Sequence, residues 1–314
     1  MEWIRHGWGK EYSTCPDEHR QYYIDISDIK FTSGESLYHA KFAIEQIKKR
    51  YPPPYYLAAS GGIDSQAMIW AWYTNNEDFK VVSFRYDGGL NDHDIQNLKL
   101  FCDFYKISYQ FIESSFLTSF DNDLTEWSLK YNCESPQMFV YSKFRDLITD
   151  GTVILSGELY PSVGLSYTSL GLERYRLDTN SNFVPFFFMT TPHLLGSFYY
   201  DYQIVNEIYK FNKDDMPLWD GAEREHMKKN IYKIKSRTYW LSGYPVIPQK
   251  TKYSGFEGYK DYFDKVLKVS IKDKAKYLNY TTYPSQRMFD IYYRYRLADN
   301  LTLPKRIVVV KKEQ

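Results

Sequence analysis

The run Ser60-Gly61-Gly62-Ile63-Asp64-Ser65 constrains this chain more than any other stretch. It follows the apolar run Tyr55-Tyr56-Leu57-Ala58-Ala59, which is short enough for a buried strand, and precedes an apolar stretch over 65–73 with the length of a helix. Between a strand and a helix, two glycines let the backbone turn tightly and approach an anion with no Cβ in the way. The first N–H groups of the following helix have no partners of their own and point, with the helix dipole, at that position. The hydroxyls of Ser60 and Ser65 are further candidate donors. Asp64 is a candidate Mg²⁺ ligand, because that ion favours one or two carboxylates together with phosphate oxygens. On this view Asp64 serves the ligand and not the core. An ordinary Gly-Gly turn with a Ser cap is the plain alternative, but chance supplies this pattern in such a chain on the order of once in 10⁴. The G-x-x-x-x-G-K-[ST] pattern of other phosphate loops does not occur.

The surrounding sequence has the rhythm of alternating strands and helices. Leu37, Ala40, Phe42, Ala43, Ile44 and Ile47 give residues 36–50 a broad apolar helical face, stopped by Pro52-Pro53-Pro54. Strands are predicted over 55–59, 80–86, 109–113 and 152–155, with helices over 65–73, 92–105 and 136–148 between them. That alternation predicts an α/β fold, a parallel sheet with helices on both faces. Ligands of open α/β sheets bind outside the carboxyl ends of the strands, so Ser83, Phe84 and Arg85 at the end of the second strand are candidates to flank a bound base. Past residue 185 the strand pattern fades, and helices are predicted over 194–211, 224–237, 259–267 and 284–296. The predicted organisation is an N-terminal extension over 1–35 of irregular structure, a nucleotide-binding domain over 36–184, and a mostly helical C-terminal lobe over 185–314.

The loop resembles the S-G-G-x-D-S signature of the N-type ATP pyrophosphatases, the superfamily that includes asparagine synthetase, the synthetases for NAD and GMP, lysidine synthetase and the tRNA thiolases. Further stretches are similar to the synthetase domain of asparagine synthetase. Val153-Ile154-Leu155-Ser156-Gly157-Glu158 resembles its V-x-L-S-G-E segment, and Pro248-Gln249-Lys250-Thr251-Lys252-Tyr253-Ser254-Gly255-Phe256-Glu257-Gly258-Tyr259 its R-Q-K-x-x-F-S-x-G-x-G-Y stretch. Val184-Pro185-Phe186 is a weaker match to R-V-P-F. The likeness runs over about residues 36–270 and implies an adenine nucleotide alpha hydrolase-like fold that binds ATP and Mg²⁺. The implied reaction cleaves ATP between its α- and β-phosphates and yields an adenylated substrate for attack by a nucleophile. The ATP-binding residues implied are Ala59, Ser60, Gly61, Gly62, Ile63, Asp64 and Ser65, with Ser156, Gly157 and Glu158. The family's catalytic lysine falls on Lys250, with Lys252 as the alternative, and Asp64 takes the metal.

Two departures matter. The family continues S-G-E-G-A-D-E, whereas Glu158 is followed here by Leu159-Tyr160-Pro161-Ser162, so the second acidic pair has no counterpart and Asp64 is left as the named metal ligand. No Cys follows Met1, and no glutaminase-like segment precedes the loop, so nitrogen is expected from free ammonia, an amine substrate or a partner subunit.

Charge keeps a second substrate class open. Residues 223–314 carry 21 Lys and Arg against 9 Asp and Glu, a net of +12, while residues 1–222 carry 19 against 30, a net of −11. The basic part either attracts a nucleic acid or supplies cations to bound phosphates and to the acidic part. The leading expectation is a carbon–nitrogen ligase that adenylates a small carboxylate. The alternative is modification of a tRNA or DNA base by the same chemistry, and a non-catalytic nucleotide-binding module is the third. Cys15, Cys102 and Cys133 form no C-x-x-C pair, which argues against a disulfide framework, a zinc ribbon and thiolation. No secretory leader and no stretch of about 18 apolar residues is found, so a cytoplasmic protein with no membrane partner is expected.

Overall fold

The computed structural model of this 314-residue chain describes residues 4–7, 21–24, 29–89, 91–115, 136–157, 175–176, 178–209 and 233–248. Its centre is a five-stranded, all-parallel sheet of β3 (Tyr55–Ala58), β4 (Lys80–Tyr86), β5 (Tyr109–Ser114), β6 (Thr152–Leu155) and β7 (Phe183–Val184), in the order β5-β4-β3-β6-β7. All four residues of β3 are buried, as a central parallel strand covered on both faces requires. The helices are α1 (Ser36–Arg50), α2 (Ile63–Thr74), α3 (Asp92–Tyr105), α4 (Pro136–Leu147), α5 (Pro192–Tyr209) and α6 (233–241).

Side-chain alternation shows that helices cover both faces. Ala58 pairs with Val82, so Ala58, Val82 and Phe84 share one face, and Tyr55 and Leu57 lie on the other. Tyr55 packs on Trp72 of α2, whereas Phe84 packs on Phe144 of α4. Right-handed crossovers give the same arrangement: the chain steps from β3 through α2 to β4 and through α3 to β5, then returns through α4 to β6 on the far side of β3. The direction of winding therefore reverses between β3 and β6.

The core runs across positions 184 and 185 without a break. Ala40, Ala43, Ile44 and Ile47 of α1 share one apolar cluster with the sheet, with Phe187, Phe188, Leu194 and Phe198, and with Tyr239, Tyr244 and Val246. Basic Lys48, Lys49 and Arg50 close α1 at the negative end of its dipole. α5 begins two residues before its predicted start because Thr191 Oγ1 accepts the Leu194 N–H at 3.2 Å and Pro192 suits the first helical position. Buried Asp201 of α5 accepts from Ser33 Oγ (2.8 Å), Gly34 N (3.0 Å) and Ser242 Oγ (2.7 Å), which ties the segment before α1 to the end of α6.

Two features differ from the sequence expectation. β7 is a fifth strand that the sequence does not signal, since two residues are too few for any periodicity. Its Phe183 and Val184 pair with Val153 and Ile154, so the Val184-Pro185-Phe186 match begins on a sheet edge. Within the extension predicted to be irregular, Ile4–Gly7 (β1) and Gln21–Ile24 (β2) pair antiparallel, Ile4 opposite Ile24. Tyr22, Tyr23 and Ile24 favour strands, but four residues lie below the length at which alternation is readable. The helix predicted over 224–237 is described from 233 and continues to 241, and those over 259–267 and 284–296 lie outside the described residues. Among the described residues, no helix is long and apolar enough to cross a membrane.

Candidate functional site

The signature loop leaves β3 at the point where the winding reverses. Ala58 pairs with Leu155, so Ser60 at the end of β3 and Ser156 at the end of β6 emerge from neighbouring strands, about 4.8 Å apart in a sheet. This carboxyl-end crevice is where open α/β sheets bind ligands. The backbone at Ala59 still belongs to the sheet, its N–H donating to Val82 O at 2.8 Å.

The turn itself depends on glycine. Gly61 has φ +88°, and a Cβ there would stand 2.0 Å from the carbonyl oxygen of Asp94 on α3. Gly62 is the N-cap of α2, and no side chain caps this helix end. The N–H groups of Ile63, Asp64 and Ser65 therefore open the helix toward the crevice with no side-chain partner among the described residues. Ile63 contributes only its main chain, because its side chain is buried in the core. The two serines divide their roles. Ser60 is exposed and its Oγ accepts from Gly62 N at 3.4 Å, whereas buried Ser65 spends its hydroxyl proton on Gly62 O at 2.8 Å.

Asp64 sits in the first turn of α2 with a partner on each oxygen. Oδ2 lies 2.7 Å from Nζ of Lys235, and Oδ1 accepts a short hydrogen bond from the Tyr239 hydroxyl. Lys235 and Tyr239 are four residues apart on α6 and so lie on one face of it. Tyr239 is anchored among Phe188, Phe198 and Tyr244, with its ring 4.7 Å from that of Phe198. Lys235 is only 5% exposed, so its ammonium is held at the loop by burial as well as by charge. The expectation that Asp64 serves only a ligand is thus corrected. Its carboxylate is also the counter-ion of a buried lysine, and removing it strands a positive charge.

The metal expectation is bounded by the same geometry. Among the described residues, no three His, Cys, Asp or Glu side chains form a metal-holding group. Asp64 is nonetheless a hard oxygen donor at the mouth of the loop, and it already holds a cation, the Lys235 ammonium. One carboxylate together with phosphate oxygens is a donor set of the kind Mg²⁺ takes.

The remaining predicted residues fall in three places. Ser156 and Gly157 follow β6. The Ser156 carbonyl accepts from Phe188 N at 3.4 Å, and Gly157, with φ +75°, lies against Phe186. The side chains of Ser83 and Phe84 are buried inside the β4 layer, so any contact they make to a base is through the main chain. Arg85 is exposed, 3.7 Å from Glu113 and over the ring of Phe111. Glu158, Lys250 and Lys252 lie outside the described residues.

Four residues that sequence reasoning did not single out shape the site. Lys235 and Tyr239 hold Asp64. Buried Asn91 closes the β4–α3 junction, donating to Phe84 O at 2.8 Å and accepting from Tyr86 N at 3.0 Å. Gln66, fully buried, donates to Gly61 O at 2.8 Å. Of these only Gln66 had a local signal, a polar residue inside an otherwise apolar helix. Lys235 is one lysine among many until the fold places it. Burial pushes the Cys102 thiol up to about 12, so this cysteine offers no thiolate chemistry. No family model matches the chain, and no curated protein matches it.

Proposed function

We propose that this chain binds ATP in the crevice between β3 and β6 and cleaves it to AMP and pyrophosphate while adenylating an acceptor. The observation that supports this reading most is the convergence of an uncapped helix N-terminus, a glycine turn and the buried Lys235 ammonium at the point where the sheet reverses its winding. All three favour a polyanion, and they lie where an α/β sheet receives a nucleotide.

In this reading the N–H groups of residues 63–65 and the Ser60 hydroxyl hold the β- and γ-phosphates. Lys235 turns from Asp64 toward the phosphates once they neutralise it. A Mg²⁺ ion bound with the nucleotide supplies charge neutralisation along the phosphates, and Asp64 is the residue that would hold it. An acceptor oxygen, in the leading case of a small carboxylate, attacks the α-phosphorus. The bond from that phosphorus to the bridging oxygen breaks, and pyrophosphate leaves with the negative charge. Fixed cations, Lys235 and by resemblance Lys250, stabilise that charge as it develops. Ammonia or an amine then attacks the activated carbon, loses a proton and displaces AMP.

The test is a product assay with MgATP, ammonium and a panel of small carboxylates, resolved by phosphorus NMR. AMP with pyrophosphate supports the reading. ADP with phosphate, or no nucleotide binding at all, ends it.

The +12 charge of residues 223–314 favours a second acceptor class, a base in a nucleic acid activated by the same chemistry. RNA that co-purifies and is released by salt would move the acceptor to that class.

A further inference from the structure

Gln66 is unlike the helix that carries it. Ile63, Ala67, Met68, Ile69, Ala71 and Trp72 make α2 apolar around its circumference, and Gln66 is buried to 0% exposure among them. An amide in such a place is costly unless both of its ends are satisfied. Its Oε1 accepts from Ile247 N at 2.7 Å, and its Nε2 donates to Ile247 O at 3.2 Å and to Gly61 O at 2.8 Å. The side chain pairs with Ile247 as a neighbouring strand would, and with its third bond it holds the carbonyl of the residue that makes the phosphate turn. Gln66 and Ile247 are 181 positions apart in the chain.

The segment 244–248 is bound on its other side to α6. Tyr244 N donates to Tyr239 O at 2.8 Å, and Trp240 Nε1 donates to Val246 O at 3.1 Å. α6 in turn holds Asp64 through Lys235 and Tyr239. The unit 233–248 therefore grips the loop twice, at Asp64 directly and at Gly61 through Gln66.

We propose that Gln66 is a positioning residue that couples nucleotide occupancy of the loop 60–65 to the placement of residues 244–248. The inference rests on the nucleotide reading above. An anion that draws in the N–H groups of the first turn of α2 shifts Gly61, and the Gln66 amide carries the shift to Ile247. A glutamate at this position would still accept from Ile247 N, but when ionised it would face two carbonyl oxygens. Protonation restores one donor.

Hydrogen exchange read by mass spectrometry on the full chain tests this, with and without MgATP, in wild type, Gln66→Leu and Gln66→Glu. Without nucleotide, residues 244–248 should exchange about ten-fold faster or more in Gln66→Leu, because both hydrogen bonds from Gln66 to Ile247 are lost. With MgATP, wild type should slow exchange in both 60–66 and 244–248, whereas Gln66→Leu should slow only 60–66. In Gln66→Glu, corrected for the intrinsic pH dependence of exchange, the response of 244–248 should return as pH is lowered, a signature that simple loosening would not give. If 244–248 responds in Gln66→Leu as in wild type, the coupling is overturned and the nucleotide reading stands. If MgATP alters exchange nowhere in wild type, the nucleotide reading falls and the coupling with it. Should Gln66→Leu fail to fold, Gln66→Glu at two pH values decides alone.

Discussion

The ammonium of Lys235 lies 2.7 Å from the carboxylate of Asp64 across 171 positions of chain, joining α6 to the first turn of α2. The lysine side chain is 7% exposed and the aspartate side chain 20%, so the pair is largely shielded but open at one end toward the crevice. That geometry makes Asp64 both a stabilising counter-ion and a group within reach of a ligand.

Breaking the pair from one side should therefore cost stability. Lys235→Met is expected to lower the unfolding free energy by roughly 1–3 kcal/mol, below the range for fully buried pairs because Asp64 keeps access to water. The double variant Lys235→Met/Asp64→Asn should recover part of that loss. Urea unfolding followed by circular dichroism measures both. Equal stability of Lys235→Met and wild type would mean that the pair contributes nothing to the fold.

Asp64→Asn is the cleaner functional probe. It keeps the size of the side chain and one acceptor oxygen for Lys235, while Asp64→Ala removes the hydrogen bonds as well; both leave the buried ammonium without its counter-ion. AMP formation should be lost in Asp64→Asn, with the unfolding midpoint lowered by the unmatched Lys235 charge but less than in Asp64→Ala. Wild-type turnover in this variant would remove Asp64 from the chemistry.

The two glycine positions near the loops should respond very differently to one methyl group. Gly61→Ala forces a Cβ to 2.0 Å from Asp94 O at φ +88°, so a loss of more than about 3 kcal/mol or a displaced loop is expected. Gly88 also has positive φ, +67°, but nothing lies within 4 Å of its Cβ position. Gly88→Ala should cost only the left-handed backbone strain, about 1–2 kcal/mol. Thermal unfolding of the two variants side by side checks the contrast.

Lys250 is the sharpest test of the resemblance over 248–259. Lys250→Ala should cut turnover by roughly 10²–10³, as for loss of one preorganised donor. ATP affinity should fall much less, because an interaction made mainly in the transition state shows in turnover rather than in ground-state binding. Lys252→Ala should be milder. Full activity in both variants would leave only the phosphate-loop reading, and a dead Lys252→Ala beside an active Lys250→Ala would shift the register by two.

The pair His39 and His193, with ring centroids 5.5 Å apart, joins α1 to α5 and should make stability pH-dependent. Burial holds His39 below its usual value of 6.5, the like charge of His193 adds to this, and Glu35 at 3.8 Å opposes it. A lowered folded pKa means that the unfolded chain binds more protons below 6.5. The stability is therefore complete above that pH and is lost as pH falls through the folded pKa. Urea midpoints from about pH 7.5 down to about pH 5 should decline in wild type, and less steeply in His39→Gln. Parallel declines would rule out His39 as the group responsible.

Sequence by itself determined what depends on near neighbours. The glycine turn, the apolar strand before it and the helix after it are legible because backbone freedom and hydrophobic period act over a few residues, and the structure places them as β3, loop and α2. The spans of α1, α3, β4 and β6 follow from the same local rules. Only the tertiary structure decided the strand order, the addition of Phe183 and Val184 as a fifth strand, and the partners of the loop. Asp64 with Lys235 and Tyr239, and Gly61 through Gln66 with Ile247, meet across 171 to 181 positions. No local pattern marks such pairs, because a lysine on an amphipathic helix has the same neighbours in sequence whether it faces water or a carboxylate. The packing of Phe188, Phe198 and Tyr244 around Tyr239 turns that face of α6 toward the loop, and long-range burial of this kind is settled only when the chain has folded.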